Sequence, residues 1–162
     1  MKDNRTLRAL YEADQSDRKH KTIDWRHVGR RDELRQNKAK ILLDNGLVCT
    51  AADYFHAAMI FQHAIELSGN AMAQKLARKS IALGDERAKW LYAAATDRLL
   101  MRKNKKQKYG TQYTQRHVAG EGDTVRTIFE LYPYDKTTTD KERAQYNVPS
   151  LKEARQIAKT LR

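Results

Sequence analysis

Only two prolines interrupt the 162 residues, and both, Pro133 and Pro149, fall in the last third. Proline removes a backbone donor and blocks a continuing helix, so the chain upstream of Pro133 is free to stay regular. Apolar residues there recur at helical spacing. One segment, 51–67, is apolar nearly all round. Tyr54, Ala58, Phe61 and Ile65 form one stripe, and Met59, Ile60 and Leu67 lie towards the other side. A helix with two apolar faces has to be held between neighbours. The expectation is a mainly α fold in a single domain spanning 1–162, a length that buries a real core.

Caps and breakers divide the rest. A first helix is expected at 4–18, where Leu7, Tyr11, Asp14 and Arg18 share a face, with Asp14 and Arg18 pairing at i, i+4. Residues 19–30 read as irregular and basic, anchored by Trp25. A second helix follows at 32–43, stopped by Asp44-Asn45-Gly46. Thr50 and Asp53 make a capping-box pair for the helix at 51–67. Ser68-Gly69-Asn70 reads as a break, with Asn70 capping a helix at 71–83. Gly84 ends that one, and Asp85 caps another at 86–103. Beyond 103 the residues turn to Thr, Tyr and β-branched types. Two such runs flank Ala119-Gly120-Glu121-Gly122-Asp123, which predicts a short antiparallel β-hairpin within 109–132. Ser150 and Glu153 predict a C-terminal helix at 150–160.

Composition narrows the class. Hydrophobic residues make up 40% and charged residues 32%, which is globular rather than disordered. No apolar run approaches the roughly 18 residues that span a bilayer, so no membrane insertion is expected. The polar start, Met1-Lys2-Asp3-Asn4-Arg5, lacks the apolar stretch of a signal peptide. Cys49 is the single cysteine, which fits a reducing, cytoplasmic setting. A formal net charge of +12 favours polyanionic partners.

Four groups of residues carry candidate chemistry. His56 and His63 share one face of the 51–67 helix, two turns and about 10.5 Å apart along the axis. Zinc ligands sit about 2 Å from the ion, so the pair makes a poor metal site, and no metal or cofactor is expected. Asp97 lies inside the apolar stripe of Trp90, Ala94 and Met101, so its carboxylate needs a partner; His63, Arg98 or Arg18 could serve. The run Gln107-Lys108-Tyr109-Gly110-Thr111-Gln112 offers a glycine for close backbone approach and donors on Tyr109, Thr111 and Gln112. Lastly, Arg98, Arg102, Lys103, Lys105, Lys106, Lys108 and Arg116 form a basic segment interleaved with Tyr109 and Tyr113, a pattern suited to single-stranded nucleic acid.

Several strings together resemble a family of small bacterial domains with no assigned activity. They are Asp14-Gln15-x-Asp17-Arg18, His56-Ala57-Ala58-Met59-Ile60-Phe61-Gln62-His63, Trp90-Leu91-x-Ala93-Ala94-x-x-Asp97-Arg98, Gln107 to Gln112, Leu131-Tyr132-Pro133 and Val148-Pro149-x-Leu151. The stretch 76–95 resembles a Sel1-like or tetratricopeptide-like helix pair, without a second copy at a fixed period. The resemblance implies a fold and a set of polar residues, Gln62 among them, and no activity.

The leading expectation is a pocket protein acting in metal-independent hydrolysis or group transfer on a small molecule or peptide. His56, His63 and Asp97 would be its catalytic groups. Gln62, Arg98, Tyr109, Gly110, Thr111 and Gln112 would bind substrate, Arg98 taking an anionic group. Two other readings stand beside it. One is a nucleic-acid-binding module using Arg102, Lys103, Lys105, Lys106, Lys108 and Arg116. The other is a helical scaffold for a peptide or protein.

Overall fold

A computed structural model of the chain describes residues 2–19, 22–119 and 124–161. The fold is mainly α with one antiparallel β-hairpin, in the order α1 (Arg5–Asp17), α2 (Trp25–Asp44), α3 (Ala51–Gln62), α4 (Leu67–Ala82), α5 (Ala88–Arg102), β1 (Tyr113–Ala119), β2 (Val125–Leu131), α6 (Asp140–Gln145) and α7 (Leu151–Thr160). The chain forms two compact units, residues 1–95 and 96–162.

The first unit is built on α3. Both of its faces are buried, as its all-round apolarity requires: Phe55, Ala57, Ala58, Ile60 and Phe61 are all core residues. Its capping box forms, with the Thr50 side chain accepting from the Asp53 amide and the Asp53 carboxylate accepting from the Thr50 amide. Alanines fill much of the surrounding core, at 39, 73, 77, 88 and 95, which lets the helices approach closely.

Two boundaries differ from the sequence expectation. The 51–67 helix stops at Gln62, and α4 begins at Leu67, upstream of Ser68-Gly69-Asn70. Gly69 therefore lies inside a helix, and a Cβ on it would overlap that of Ala64 in the connection. Asn70 does not cap: its buried amide donates to the Ala64 carbonyl at 3.0 Å and pins the elbow. Glycine here serves close packing rather than chain breaking. The second correction concerns α2, which starts at Trp25 instead of 32. Asp24 is its N-cap, accepting from the His27 amide at 3.1 Å. Trp25 is 65% exposed, so it is not the buried anchor expected from the sequence.

The second unit contains the end of α5, the hairpin and the two last helices. Tyr113 pairs with Leu131 and Ala119 with Val125, so the strands are in register over seven residues each. The turn expected at 119–123 lies, from Gly120 to Asp123, outside the described residues. The Thr-rich link contains a short helix, α6, that the sequence pattern did not announce. Its N-cap is Thr139, and its Arg143 is buried, donating from Nε to the Tyr109 carbonyl at 2.9 Å and from a terminal nitrogen to the Thr138 carbonyl at 2.7 Å. The capping box of Ser150 and Glu153 opens α7 as expected. Among the described residues no helix is long and apolar enough to cross a membrane.

Candidate functional site

The polar centre of the first unit lies where α1, α2 and the end of α3 meet. Asp14 and Arg18 are one turn apart on α1, and Asp17 stands beside them. Across from them α2 presents Arg31, Asp32 and Arg35. Arg18 bridges Asp14, at 2.9 Å, and Asp32. Arg35 bridges Asp32, at 2.9 Å, and Asp17, while Arg31 reaches Asp17 at 2.8 Å. Three carboxylates thus meet three guanidiniums, and the charges balance. Asp14, Asp32 and Arg35 are all buried, so each charge is matched where water is scarce.

His63 completes this centre from α3. It is the C-cap residue of that helix, so its backbone turns away just past the last apolar turn. Its Nδ1 lies 3.0 Å from an Asp14 carboxylate oxygen. Burial pushes the Asp14 carboxyl up, but the His63 hydrogen bond and charge, Arg18 and Gln15 outweigh it and hold the group below the ordinary carboxylate value. An ionised Asp14 accepts, so His63 Nδ1 donates, and Nε2 is the ring nitrogen left to exchange a proton. Among the described residues Nε2 has no hydrogen-bond partner. The imidazole lines a small cavity of about 110 Å³ with Asp32, Glu33, Gln36, Ile65 and Glu66.

His56 sits apart from this arrangement. It stacks on Tyr11, with ring centroids 4.5 Å apart, and Phe55 meets it edge-on. It is 7% exposed, and its buried Nδ1 has no hydrogen-bond partner among the described residues. Burial and then the nearby Arg87 charge hold its pKa below the usual histidine value. The ring lines a shallow depression with Arg8, Glu12 and Arg87, and Arg87 itself is gripped by Asp85 at 2.6 Å. Gln62, one residue before His63, is buried.

The remaining candidates gather in the second unit, around the Gln107-to-Gln112 loop. Asp97 is fully buried. One oxygen accepts from the Lys108 and Tyr109 amides, at 2.7 and 2.8 Å; the other accepts from the Thr111 amide and hydroxyl, at 2.9 and 2.8 Å. Burial raises its pKa, against the pull of those donors. The partners expected for it, His63, Arg98 or Arg18, are replaced by the loop's own backbone. Gln107 is buried too, donating to the Gln112 and Tyr132 carbonyls and accepting from the Gln112 amide. Gly110 takes a φ of +80°, which glycine adopts without penalty, with the Arg143 guanidinium beside it. Tyr109 is buried against Tyr146, and Arg98 donates to the Gln112 side-chain oxygen at 3.2 Å. Of the basic segment, Arg102, Lys103, Lys105, Lys106 and Arg116 are exposed. Lys108 pairs with Glu142 at 2.7 Å and Arg116 with Glu130 at 3.2 Å.

The structure therefore divides the predicted site residues. His56, Gln62 and His63 belong to the first unit, and Asp97, Arg98, Tyr109, Gly110, Thr111 and Gln112 form a hydrogen-bonded cluster in the second. Sequence reasoning missed Asp32 and Arg35 as site residues. The signal available was Asp14, an acid on the same helix face as Leu7 and Tyr11. Among the described residues no three His, Cys, Asp or Glu side chains converge as a metal site would require. No family model, no curated protein and no solved structure matches the chain.

Proposed function

We propose that the first unit carries a general acid–base centre on His63, oriented by Asp14, which serves a hydrolytic or group-transfer reaction. The observation that carries this reading is the 3.0 Å contact between His63 Nδ1 and the Asp14 carboxylate beside a cavity that the imidazole lines. A carboxylate on Nδ1 fixes the tautomer, aims the ring and stabilises the imidazolium that forms when Nε2 takes a proton. His63 itself, with Arg18 and Gln15, keeps Asp14 ionised, and the Arg18–Asp32–Arg35–Asp17 network keeps it in place.

The lining also speaks to substrate. Asp32, Glu33 and Glu66 border the cavity, and Arg18 and Arg35 are turned towards carboxylates. A neutral or cationic group suits it better than an anion. The acid–base residue is thus His63, oriented by Asp14 in place of Asp97.

The test is a panel of p-nitrophenyl esters and p-nitrophenyl phosphate, assayed with the wild type, His63→Gln and Asp14→Asn. Positioned general-base groups contribute about 10²–10⁴-fold. At least one substrate should be turned over at a rate that drops by about 100-fold or more in His63→Gln, with Asp14→Asn also slowed. Turnover that persists unchanged in His63→Gln overturns the reading.

A further inference from the structure

A second concavity of the first unit lies where the end of α2, one turn of α3 and the length of α4 meet. Its volume is about 530 Å³, within the roughly 300–1,000 Å³ range of small-molecule pockets. Its floor is apolar: Leu43 from α2, Tyr54 from α3, and Met72 and Leu76 from α4. Met72 and Leu76 are one helical turn apart, so they present a continuous stripe. Methionine adapts its shape to what it contacts.

The rim carries four cations, Lys40, Lys75, Arg78 and Lys79, against one carboxylate, Asp44. Lys75, Arg78 and Lys79 line the groove from α4, and none of the three pairs with a carboxylate among the described residues. Lys40, across the groove, is held by Asp44 at 2.8 Å. Lys79 also lies over the Tyr54 ring, 5.8 Å from its centroid. The three cations occupy positions i, i+3 and i+4 of one helix. Like charges at that spacing repel and destabilise a helix. Lys79 is explained by its place in the last turn, where a cation complements the helix dipole. Lys75 and Arg78 have no such account, and an anion in the groove would turn their repulsion into attraction.

We propose that this groove is a binding site for an amphipathic anion: a single carboxylate, sulfonate or phosphate head on a drug-sized apolar body. The body lies on Leu43, Tyr54, Met72 and Leu76, and the head sits among Lys75, Arg78 and Lys79. The proposal is independent of the chemistry at His63, which uses other residues of α2 and a different cavity.

The test uses 8-anilinonaphthalene-1-sulfonate as a fluorescent probe of the folded full chain, with decanoate and decylamine as competitors. Saturable binding at one site is expected, displaced by decanoate but not by decylamine or acetate. The triple variant Lys75→Gln, Arg78→Gln, Lys79→Gln should lose about tenfold in affinity, the scale of three partly exposed charge contacts. The control triple, Lys136→Gln, Lys141→Gln, Lys152→Gln, carries the same change in net charge and should keep its affinity. Equal losses in the two triples overturn the site, because net charge would then explain the binding. Displacement by decylamine as strong as by decanoate overturns the assignment of the head group, and hexaglutamate competing as well as decanoate overturns the small-ligand assignment. Independently, the Met72 methyl resonance should shift on adding decanoate to the wild type, and a resonance that stays put overturns the placement of the apolar body.

Discussion

Asp14 and His63 stand 49 positions apart in the chain, and their side chains meet at 3.0 Å. Arg18 meets the same Asp14 oxygen at 2.9 Å, so one buried carboxylate oxygen answers both an imidazole and a guanidinium. The two partners differ in what they lose on removal. Asp14→Ala takes one of two carboxylates from Arg18 and opens a buried network; it should cost about 3–5 kcal/mol. His63 keeps part of its surface in water, and His63→Ala should cost less than about 1 kcal/mol. Urea unfolding of the two variants measures the difference, and equal losses would make His63 a structural member of the network.

Acid should weaken the same network. Asp14 has a folded pKa below its ordinary value, so its stabilising contribution is complete above the unfolded carboxylate value of about 3.9. It is lost as pH falls from there through the folded value. Unfolding free energies of the wild type measured downwards from pH 5 should fall, and Asp14→Asn should flatten that part of the slope.

His56 predicts a second window at higher pH. Its folded pKa lies below the free histidine value of about 6.5, so the unfolded chain takes up the proton first. Its neutral form therefore contributes stability above pH 6.5 that declines as pH drops through the folded value. His56→Phe keeps the ring on Tyr11 and removes the unpartnered Nδ1. That variant should gain about 1 kcal/mol at pH 7 and lose this pH dependence. Thermal melts at pH 7, 6 and 5 would expose either failure.

Asp97 should behave as a keystone of its loop. Asp97→Ala orphans three amides and a hydroxyl in a buried setting, at a cost of about 3–5 kcal/mol. Hydrogen exchange should show the amides of Lys108, Tyr109 and Thr111 losing their protection together. Protection that survives the substitution would show that the loop is held elsewhere.

The basic segment makes a salt-dependence prediction. Lys108 and Arg116 are paired with carboxylates, which leaves Arg102, Lys103, Lys105 and Lys106 as the exposed cations there that pair with no carboxylate among the described residues. Single-stranded oligonucleotide binding through Lys103, Lys105 and Lys106 should weaken with salt, by a logarithmic slope of about 0.7 per neutralised phosphate. Replacing those three lysines with Gln should reduce the slope by about 2. An unchanged slope would place the contact on another surface, and no binding at about 50 mM salt would remove the nucleic-acid reading.

Much of the fold was legible because caps act locally. Thr50 with Asp53 and Ser150 with Glu153 each satisfy donors within one turn, and both mark helix starts in the structure. The start of α2 was not legible: Arg26, His27, Arg30 and Arg31 show no apolar period, and only Asp24 signals it. The short helix α6 was hidden for a related reason, since its stability rests on Arg143 reaching Tyr109, 34 residues away. The candidate site was half legible. Asp14 and His63 each stood out as polar groups on apolar faces, but their meeting depends on the elbow after Gln62, which long-range packing sets.

That elbow has a consequence for how the chain tolerates change. Gly69 contributes no side chain and lies outside the cavity, yet the first turn of α4 closes over Ala64 only because position 69 lacks a Cβ. Any larger residue there pushes on the very connection that begins with His63. If the proposed turnover rests on His63, a saturation scan scored by it should read position 69 as being nearly as restrictive as His63 itself. Conversely, pairing Gly69→Ala with Ala64→Gly should recover what either loses, since the space for one methyl is shared between them.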